Sequence, residues 1–506
     1  MKPIQVLHWC RETFHYYVVF TNSILFILGL IFSYKLVEKT FLNILITRLT
    51  DAWEEYDLRR AVVVVNLMEG TIAILVALFA YVANIYTGRF QMVVISTAFC
   101  ITGLLLNSLA DGNDDNRQLE LRLFYPALGL MALALASQIA SLQPFLEDQL
   151  RPMVVDGDRR QGCTKFWWNL VSFVAAIFAQ FGPLPRFHFK KLAIVLIGVM
   201  SGCVLVFMLG TKYYYMVSTI PNPFKEVGIV IVRAIANRNL DYTQTPEPRV
   251  LCLRWLDKGA EAGNWSSVEE VMRVKILFKM LPLWSCFLTL SLVAASGSTF
   301  FFAEAFNLIQ DNNTLTPILF LANLTRFTDF LVSETSSYVV RKLKEKRQYS
   351  QQKMELVRIG IGMSCCVPCC LAAWVTATRR QHDTINVYWL TPQYFLLGLM
   401  SGLSQDGLCS FYESHVSENL CSFGAPFIEL VMGLGKFMAI PYVVILSKRP
   451  LEWFRVMLED SRLDNYYILL AVMSSGNLMI YCLVAWWYGE DAEEVQVMQE
   501  EDADHS

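Results

Sequence analysis

Charge is what this sequence is short of. Of its 506 residues only 17% are Asp, Glu, Lys or Arg, while 55% are hydrophobic and the mean hydropathy is +0.40. Soluble domains carry about 25% charged residues, so the composition excludes an ordinary water-soluble protein. Lys and Arg are missing altogether from 490–506, which holds eight acids. Set against the net −3 of the chain, those eight leave +5 on the remainder, the mild positive excess of membrane-protein loops. This tail is expected to be solvated and disordered. Catalytic signatures are wanting too. There is no H-E-x-x-H, no G-x-S-x-G and no G-x-x-x-x-G-K-[S/T]. No basic surface interleaved with aromatics argues for nucleic acid. The chain therefore reads as no enzyme, with no cofactor and no metal. A cleavable signal peptide is also lacking, because the first apolar run leads straight into a span.

What is abundant is long apolar runs. From Ala61 to Tyr86 the chain is almost wholly apolar, interrupted near its start by Asn66 and Glu69. As a helix it measures roughly 39 Å, against a bilayer core of about 30 Å. A short turn, Tyr86-Thr87-Gly88-Arg89-Phe90, then leads at once into a second run. Twelve such spans fit the chain: within 16–46, then 61–86, 91–109, 124–142, from 166, 192–209, from 281 to about 301, within 316–340, 358–375, from 389, 424–445 and 466–487. A polar stretch divides them, giving an N-terminal six-helix half (1–211), a linker (212–272), a C-terminal six-helix half (273–489) and the acidic tail (490–506). Basic loops follow spans four, six and eight, so the positive-inside rule places both termini in the cytoplasm. The motif at Asn312-Asn313-Thr314 then falls outside, as a glycosylation acceptor or a chance match. Among 13 cysteines, Cys365-Cys366-Val367-Pro368-Cys369-Cys370 contains C-x-x-C spacings. Packing of a small apolar residue within a span is favoured over metal or redox chemistry.

Several motifs carry a resemblance. Val65-Asn66 and Gly70-Thr71 fit A-x-x-V-N-x-x-x-G-T, with Val62 in place of Ala. Ala83 to Phe90 is similar to A-D-S-Y-L-G-R-F but lacks the Asp. Leu253 to Ala260 resembles F-R-F-L-D-K-A-A. Leu281-Pro282-Leu283-Trp284 and Ser298-Thr299-Phe300-Phe301 are similar to L-L-P-I-W and S-T-F-F. Trp389 to Gly398 resembles W-x-x-P-Q-Y-x-L-x-G, and Asp464-Asn465-Tyr466-Tyr467 with Trp487-Tyr488 is similar to the last helix. These mark the plant nitrate/peptide transporter family, the proton-dependent oligopeptide transporter branch of the major facilitator superfamily. The resemblance runs in order from span two to span twelve. It implies an all-α membrane protein of twelve transmembrane helices in two six-helix halves. It also implies transport of a small-molecule solute, with protons, across a plasma or vacuolar membrane; the family's substrates are nitrate, peptides and organic-acid-like metabolites.

The chain departs from the family where that family keeps its charges. E-x-x-E-[K/R] aligns with Ile31 to Lys35, so both carboxylates are gone and Lys35 remains. The helix-four cation aligns with Ile139, and the helix-ten Glu with Ser410. A buried carboxylate can load and release a proton when desolvation and a nearby cation balance, so Glu38, Glu69, Glu304, Asp406 or Glu429 are candidates to take over coupling. An uncoupled facilitator, and a non-transporting diverged paralogue acting as scaffold or sensor, are the alternatives. By position in the family pattern, the cavity-facing residues are Tyr34, Lys35, Asn66, Glu69, Ile139, Asn169, Asp406 and Ser410. Lys35 favours an anionic solute, and Ile139 disfavours a peptide. Each group also has a structural reading. Lys35 and Glu38 sit three apart on one helix and can pair. Glu429 and Lys436 can bridge neighbouring helices. Phe166, Trp167 and Trp168 have two readings, stacking on a substrate and an interfacial aromatic belt, of which the belt is favoured.

Overall fold

The structure, a computed structural model, describes residues 18–51, 58–110, 117–181, 189–220, 222–237, 254–256, 268–308, 316–345, 351–382, 385–416, 418–449, 452–455 and 458–504. The Asn312 motif and parts of the linker lie outside them. The helices are α1 (Asn22–Asp51), α2 (Leu58–Val82), α3 (Arg89–Ala110), α4 (Arg117–Leu150), α5 (Gly157–Phe181), α6 (Phe189–Leu209), α7 (Pro223–Ala236), α8 (Val268–Lys279), α9 (Leu281–Ser298), α10 (Phe300–Asn307), α11 (Thr316–Glu345), α12 (Gln351–Ser364), α13 (Cys366–His382), α14 (Thr391–His415), α15 (Gly424–Leu446) and α16 (Leu463–Asp504). With α8–α10 and α12–α13 each read as one interrupted rod, twelve segments have the length of a span. Nine of these, among the described residues, are also apolar enough to cross a bilayer. In α11 the apolar run is interrupted by Arg326, Asp329 and Glu334.

The interruptions have local causes. Pro368 has no N–H to give the carbonyl of Ser364, and the rod breaks at Cys365. After α2 a π-turn, Ala83–Thr87, ends at Gly88 with φ 81° and ψ 152°, a conformation open to glycine. Arg89 pins that turn: it donates to Asn84 Oδ1 (3.0 Å), to the Pro144 carbonyl (3.2 Å) and to Asp148 (2.8 Å).

The chain divides into two compact units. The first comprises Met1–Thr219, Phe306–Asn323 and Val443–Ser461; the second comprises Ile220–Ala305, Leu324–Tyr442 and Arg462–Ser506. In the first, α3 lies along α4, and α1 packs on α5 and α6. Its core joins Ile27, Leu30 and Ile31 to Met131, Leu135, Leu142 and Met200. In the second, α14 lies on α12 and α11 at glycine contacts. A methyl on Gly398 would come within 2.5 Å of the Thr325 carbonyl, and one on Gly402 would strike the Asp329 carbonyl. This small-xxx-small spacing suits helices packing in lipid, where van der Waals contact replaces the hydrophobic drive. Gly435 packs the same way against Ser291 and the Leu288 carbonyl. Cys366, Cys369 and Cys370 are buried in α13, and Cys369 Sγ donates to the Gln393 carbonyl at 3.4 Å. The acidic stretch expected to be disordered differs from that reading: α16 continues through it to Asp504. Ala, Glu, Gln and Met are good helix formers, and a preformed span removes the cost of nucleation.

Candidate functional site

The first unit gathers Tyr34, Lys35 and Glu38 on α1 with Trp168 of α5. Tyr34 is fully buried and donates its hydroxyl to the Leu135 carbonyl of α4 at 3.2 Å. Lys35 is buried as well. Its ammonium donates to Glu38 Oε2 at 2.7 Å and lies 4.8 Å from the Trp168 ring centre and 5.3 Å from that of Tyr34. Lys39 sits 3.7 Å from the other Glu38 oxygen. Lys35 therefore has its anion already, from its own helix. The rings expected as an aromatic belt make contacts within the unit. Trp168 faces inward under Lys35, and buried Trp167 donates its indole N–H to the Val19 carbonyl at 3.0 Å. One ring thus meets a cation, and the other's indole N–H a carbonyl, within the unit.

The other first-unit candidates are dispersed. On α2, Asn66 is buried and donates to the Val62 carbonyl at 3.0 Å, leaving its Oδ1 without a hydrogen bond. Half-buried Glu69, one turn on, is already engaged. Ile139 packs into an apolar seam with Val76, Ala80, Ala136 and Ala140. Asn169 is half-buried on α5.

The second unit places two of the candidate carboxylates, Glu304 and Asp406, in ion pairs. Glu304, on α10, is 1% exposed. Its Oε2 accepts the Tyr467 hydroxyl of α16 at 3.1 Å, and its Oε1 lies 3.8 Å from Arg380 Nη1 of α13, beyond hydrogen-bond reach. Gln393, wholly buried on α14, faces the same carboxylate with neither end of its amide in hydrogen-bond geometry. The neighbouring Tyr394 hydroxyl is buried and unbonded. Buried polar atoms are normally satisfied, and this concentration of poorly satisfied ones is unusual. The second carboxylate, Asp406 of α14, accepts from Arg358 Nη2 at 3.1 Å and from the Ser333 hydroxyl. Arg358, on α12, also donates to the Ser333 carbonyl at 3.2 Å and lies 3.5 Å from Glu355. Ser410 is half-buried one turn beyond Asp406. Glu429 and Lys436 are both engaged.

Sequence reasoning missed both arginines. It ended span nine at Val375, whereas α13 continues to His382 and carries Arg380 into the unit. Arg358 was taken as a span boundary, although a lone Arg opening an apolar run is itself a signal of a buried partner.

Residues 191–454 match the family model described as PTR2, the POT family. The chain belongs to the POT family. Among curated relatives, Protein NRT1/PTR FAMILY 5.6 of Arabidopsis thaliana is 25% identical over 92% of this chain and 90% of its own length. Protein NRT1/PTR FAMILY 5.7 of the same plant is 24% identical over 92% and 88%. In fold the chain is similar to the POT family transporter PepTSo, with a TM-score of 0.72, 14% identity and coverage of 94% and 99%. It is also similar to a POT family transporter crystallised with 5-aminolevulinic acid, with a TM-score of 0.64, 10% identity and coverage of 92% and 96%. These relatives agree with the plant nitrate/peptide transporter motifs. This POT protein is an integral, multi-pass, all-helical membrane protein of a transporter family.

Proposed function

We propose that this POT protein carries a small anionic solute, such as nitrate or an organic metabolite, across a plasma or vacuolar membrane. In this reading both termini are cytoplasmic, and Glu304 with Arg380 takes over the charge chemistry that the family places on other helices. The observation that carries it is the state of Glu304. It is a fully desolvated carboxylate with one phenolic donor and one cation held just beyond hydrogen-bond reach. Such a pair can be exchanged: a proton on Glu304 releases Arg380, and deprotonation restores the pair. Lys35 supports an anionic solute as the cation kept at the family's position, although an anion there has to compete with Glu38 at 2.7 Å. The apolar seam around Ile139 leaves a peptide carboxylate without a counter-ion and weighs against peptides.

The test is uptake of nitrate and a metabolite panel by expressing cells at acidic and neutral external pH. Acid-stimulated uptake that becomes indifferent to pH in Glu304→Gln supports the reading. Stimulation that survives Glu304→Gln and is lost in Glu38→Gln moves coupling to α1. Uptake insensitive to pH in the unaltered protein makes it a facilitator. No uptake of any compound removes the transporter reading in favour of a scaffold or sensor.

A further inference from the structure

We infer that the buried polar cluster around Glu304 is a hydrated site. Bound water joins the Glu304 carboxylate to the Gln393 amide and the Tyr394 hydroxyl, exchanges with solvent past Arg380, and delivers the proton that Glu304 takes up. Four atoms of three side chains carry the inference. Glu304 Oε1, both ends of the Gln393 amide and the Tyr394 hydroxyl are buried, and none of them makes a hydrogen bond within the protein. Glu304 comes from α10, Gln393 and Tyr394 from the first turn of α14, and they are 1%, 0% and 5% exposed. Groups beside them do find partners. The Tyr467 hydroxyl donates to Glu304 Oε2 at 3.1 Å, the Tyr466 hydroxyl lies 3.3 Å from Ser296 Oγ, and the Cys369 thiol donates to the Gln393 carbonyl at 3.4 Å. Burying polar atoms unpaired is costly, and internal water is what commonly satisfies them.

The chemistry of the cluster selects the ligand. Gln393 Nε2 and the Tyr394 hydroxyl have protons to give, while Glu304 Oε1, Gln393 Oε1 and the Tyr394 oxygen accept them. A metal cation would sit against Arg380 Nη1, 3.8 Å from Glu304 Oε1, and an anion would sit against the carboxylate itself. A small neutral molecule that both donates and accepts meets neither repulsion, and water is that molecule. Aromatic rings wall it in: the Phe301 ring lies 6.0 Å from that of Tyr394 and 5.6 Å from that of Tyr467, each in edge geometry. Arg380 leads outward. It stands near the end of α13 with its side chain 11% exposed, and the next residue, Gln381, donates to Asp464 Oδ1 at the head of α16 at 3.4 Å. A desolvated carboxylate exchanges its proton through hydrogen-bonded neighbours, for which one bridging water suffices. That water passes one proton to Oε1 and takes one from the solvent side, so no charge stays on it. Hydration stands on the geometry alone, and the proton passage rests on the role proposed for Glu304.

The experiment is X-ray hydroxyl-radical footprinting of the purified full-length protein, read by mass spectrometry. Radiolysis of a bound water oxidises the side chains touching it, so a buried residue is labelled where water lies beside it. Tyr466, 1% exposed and beside Ser296, is the dry reference, and Tyr388, 54% exposed, is the solvated one. The expected result is oxidation of Tyr394 about fivefold or more faster than that of Tyr466. Heavy-oxygen water mixed in just before the pulse should supply the oxygen that is added. Gln393→Leu removes both ends of the amide and should slow Tyr394 oxidation about threefold, with Tyr388 unchanged. The contrast between Tyr394 and Tyr466 in the unaltered protein stands even where that variant fails to fold. Tyr394 no more reactive than Tyr466 overturns the inference, and means that the Gln393 amide closes directly on Glu304. Labelling without heavy oxygen overturns the route to solvent, and labelling unchanged in Gln393→Leu overturns the part given to the amide. Uptake separates this site from the function: a labelled Tyr394 in a protein that moves no solute removes the proton passage and keeps the hydration. Acid stimulation that depends on Glu304, with Tyr394 unlabelled, overturns the hydration and leaves the proposed function standing.

Discussion

Replacing Arg380 with Gln removes the cation beside a carboxylate that is 1% exposed. Gln is shorter and carries no charge, so Glu304 is left buried with the Tyr467 hydroxyl as its donor. Removing one partner of a buried ion pair costs about 3–5 kcal/mol, because the remaining charge stays desolvated. The reverse change, Glu304→Gln, is milder. A Gln carbonyl still accepts from Tyr467, and the Arg380 side chain retains 11% exposure through which to reach water. Its cost belongs with lost hydrogen bonds, about 1–3 kcal/mol. In the double variant no charge of the pair remains to be stranded. The expected order of loss is therefore Arg380→Gln greatest, with the double variant less affected than Arg380→Gln alone. The coupling should fall within the range of about 0.5–3 kcal/mol found for residues in contact. Thermal melting of the purified full-length protein in one detergent, alongside size-exclusion profiles, reads it. If the double variant loses the sum of the two singles, or if Arg380→Gln melts like the parent, the pair is not coupled and the reasoning fails.

Three further outcomes follow from the packing. Gly402→Ala puts a methyl against the Asp329 carbonyl and should lose about 1–3 kcal/mol by overpacking; Gly129→Ala, with nothing within 4 Å of its added methyl, should be neutral or gain about 0.5–1 kcal/mol in the same melting assay. Gly88→Ala, at φ 81° and ψ 152°, should cost about 1–3 kcal/mol as backbone strain, read as a lower melting temperature and less monodisperse protein. Arg358→Gln takes the cation from Asp406 and Glu355 and should cost about 3–5 kcal/mol, whereas Arg449→Gln, whose side chain is 93% exposed beside Glu452, should melt like the parent.

The spans were legible because about 20 consecutive apolar residues match the thickness of a bilayer core and exceed the apolar length of most helices buried in soluble proteins. The Gly88-Arg89 turn was legible because a glycine between two such runs marks a reversal. The Lys35–Glu38 pair was legible too, since positions three apart share a helix face. Arg380 and Arg358 were not legible as partners. Period and composition report which face a residue occupies, while Glu304 and Asp406 meet their cations from other helices far along the chain. The contact of Lys35 with the Trp168 ring was not legible for the same reason, since the two residues come from different helices. The helical backbone of the acidic stretch was masked by its net charge, which predicts solvation but leaves helix propensity untouched.

The two charge sites differ in what they can transmit. Lys35 and Glu38 are neighbours on α1, so their pair forms and breaks within one helix. A solute anion that displaces Glu38 exchanges a partner of Lys35 on α1 and reaches a neighbouring helix through the Trp168 ring of α5 beside Lys35. Glu304 and Arg380 come from α10 and α13, with Tyr467 of α16 on the same carboxylate. Whatever neutralises Glu304 weakens a link among three rods at once. In a membrane interior an unpaired charge is costly, so those rods have a strong reason to repack when the pair is broken and to return when it reforms. A coupling site has to convert occupancy into a change of helix packing. By that criterion the proposed reading puts coupling on Glu304 rather than on Glu38.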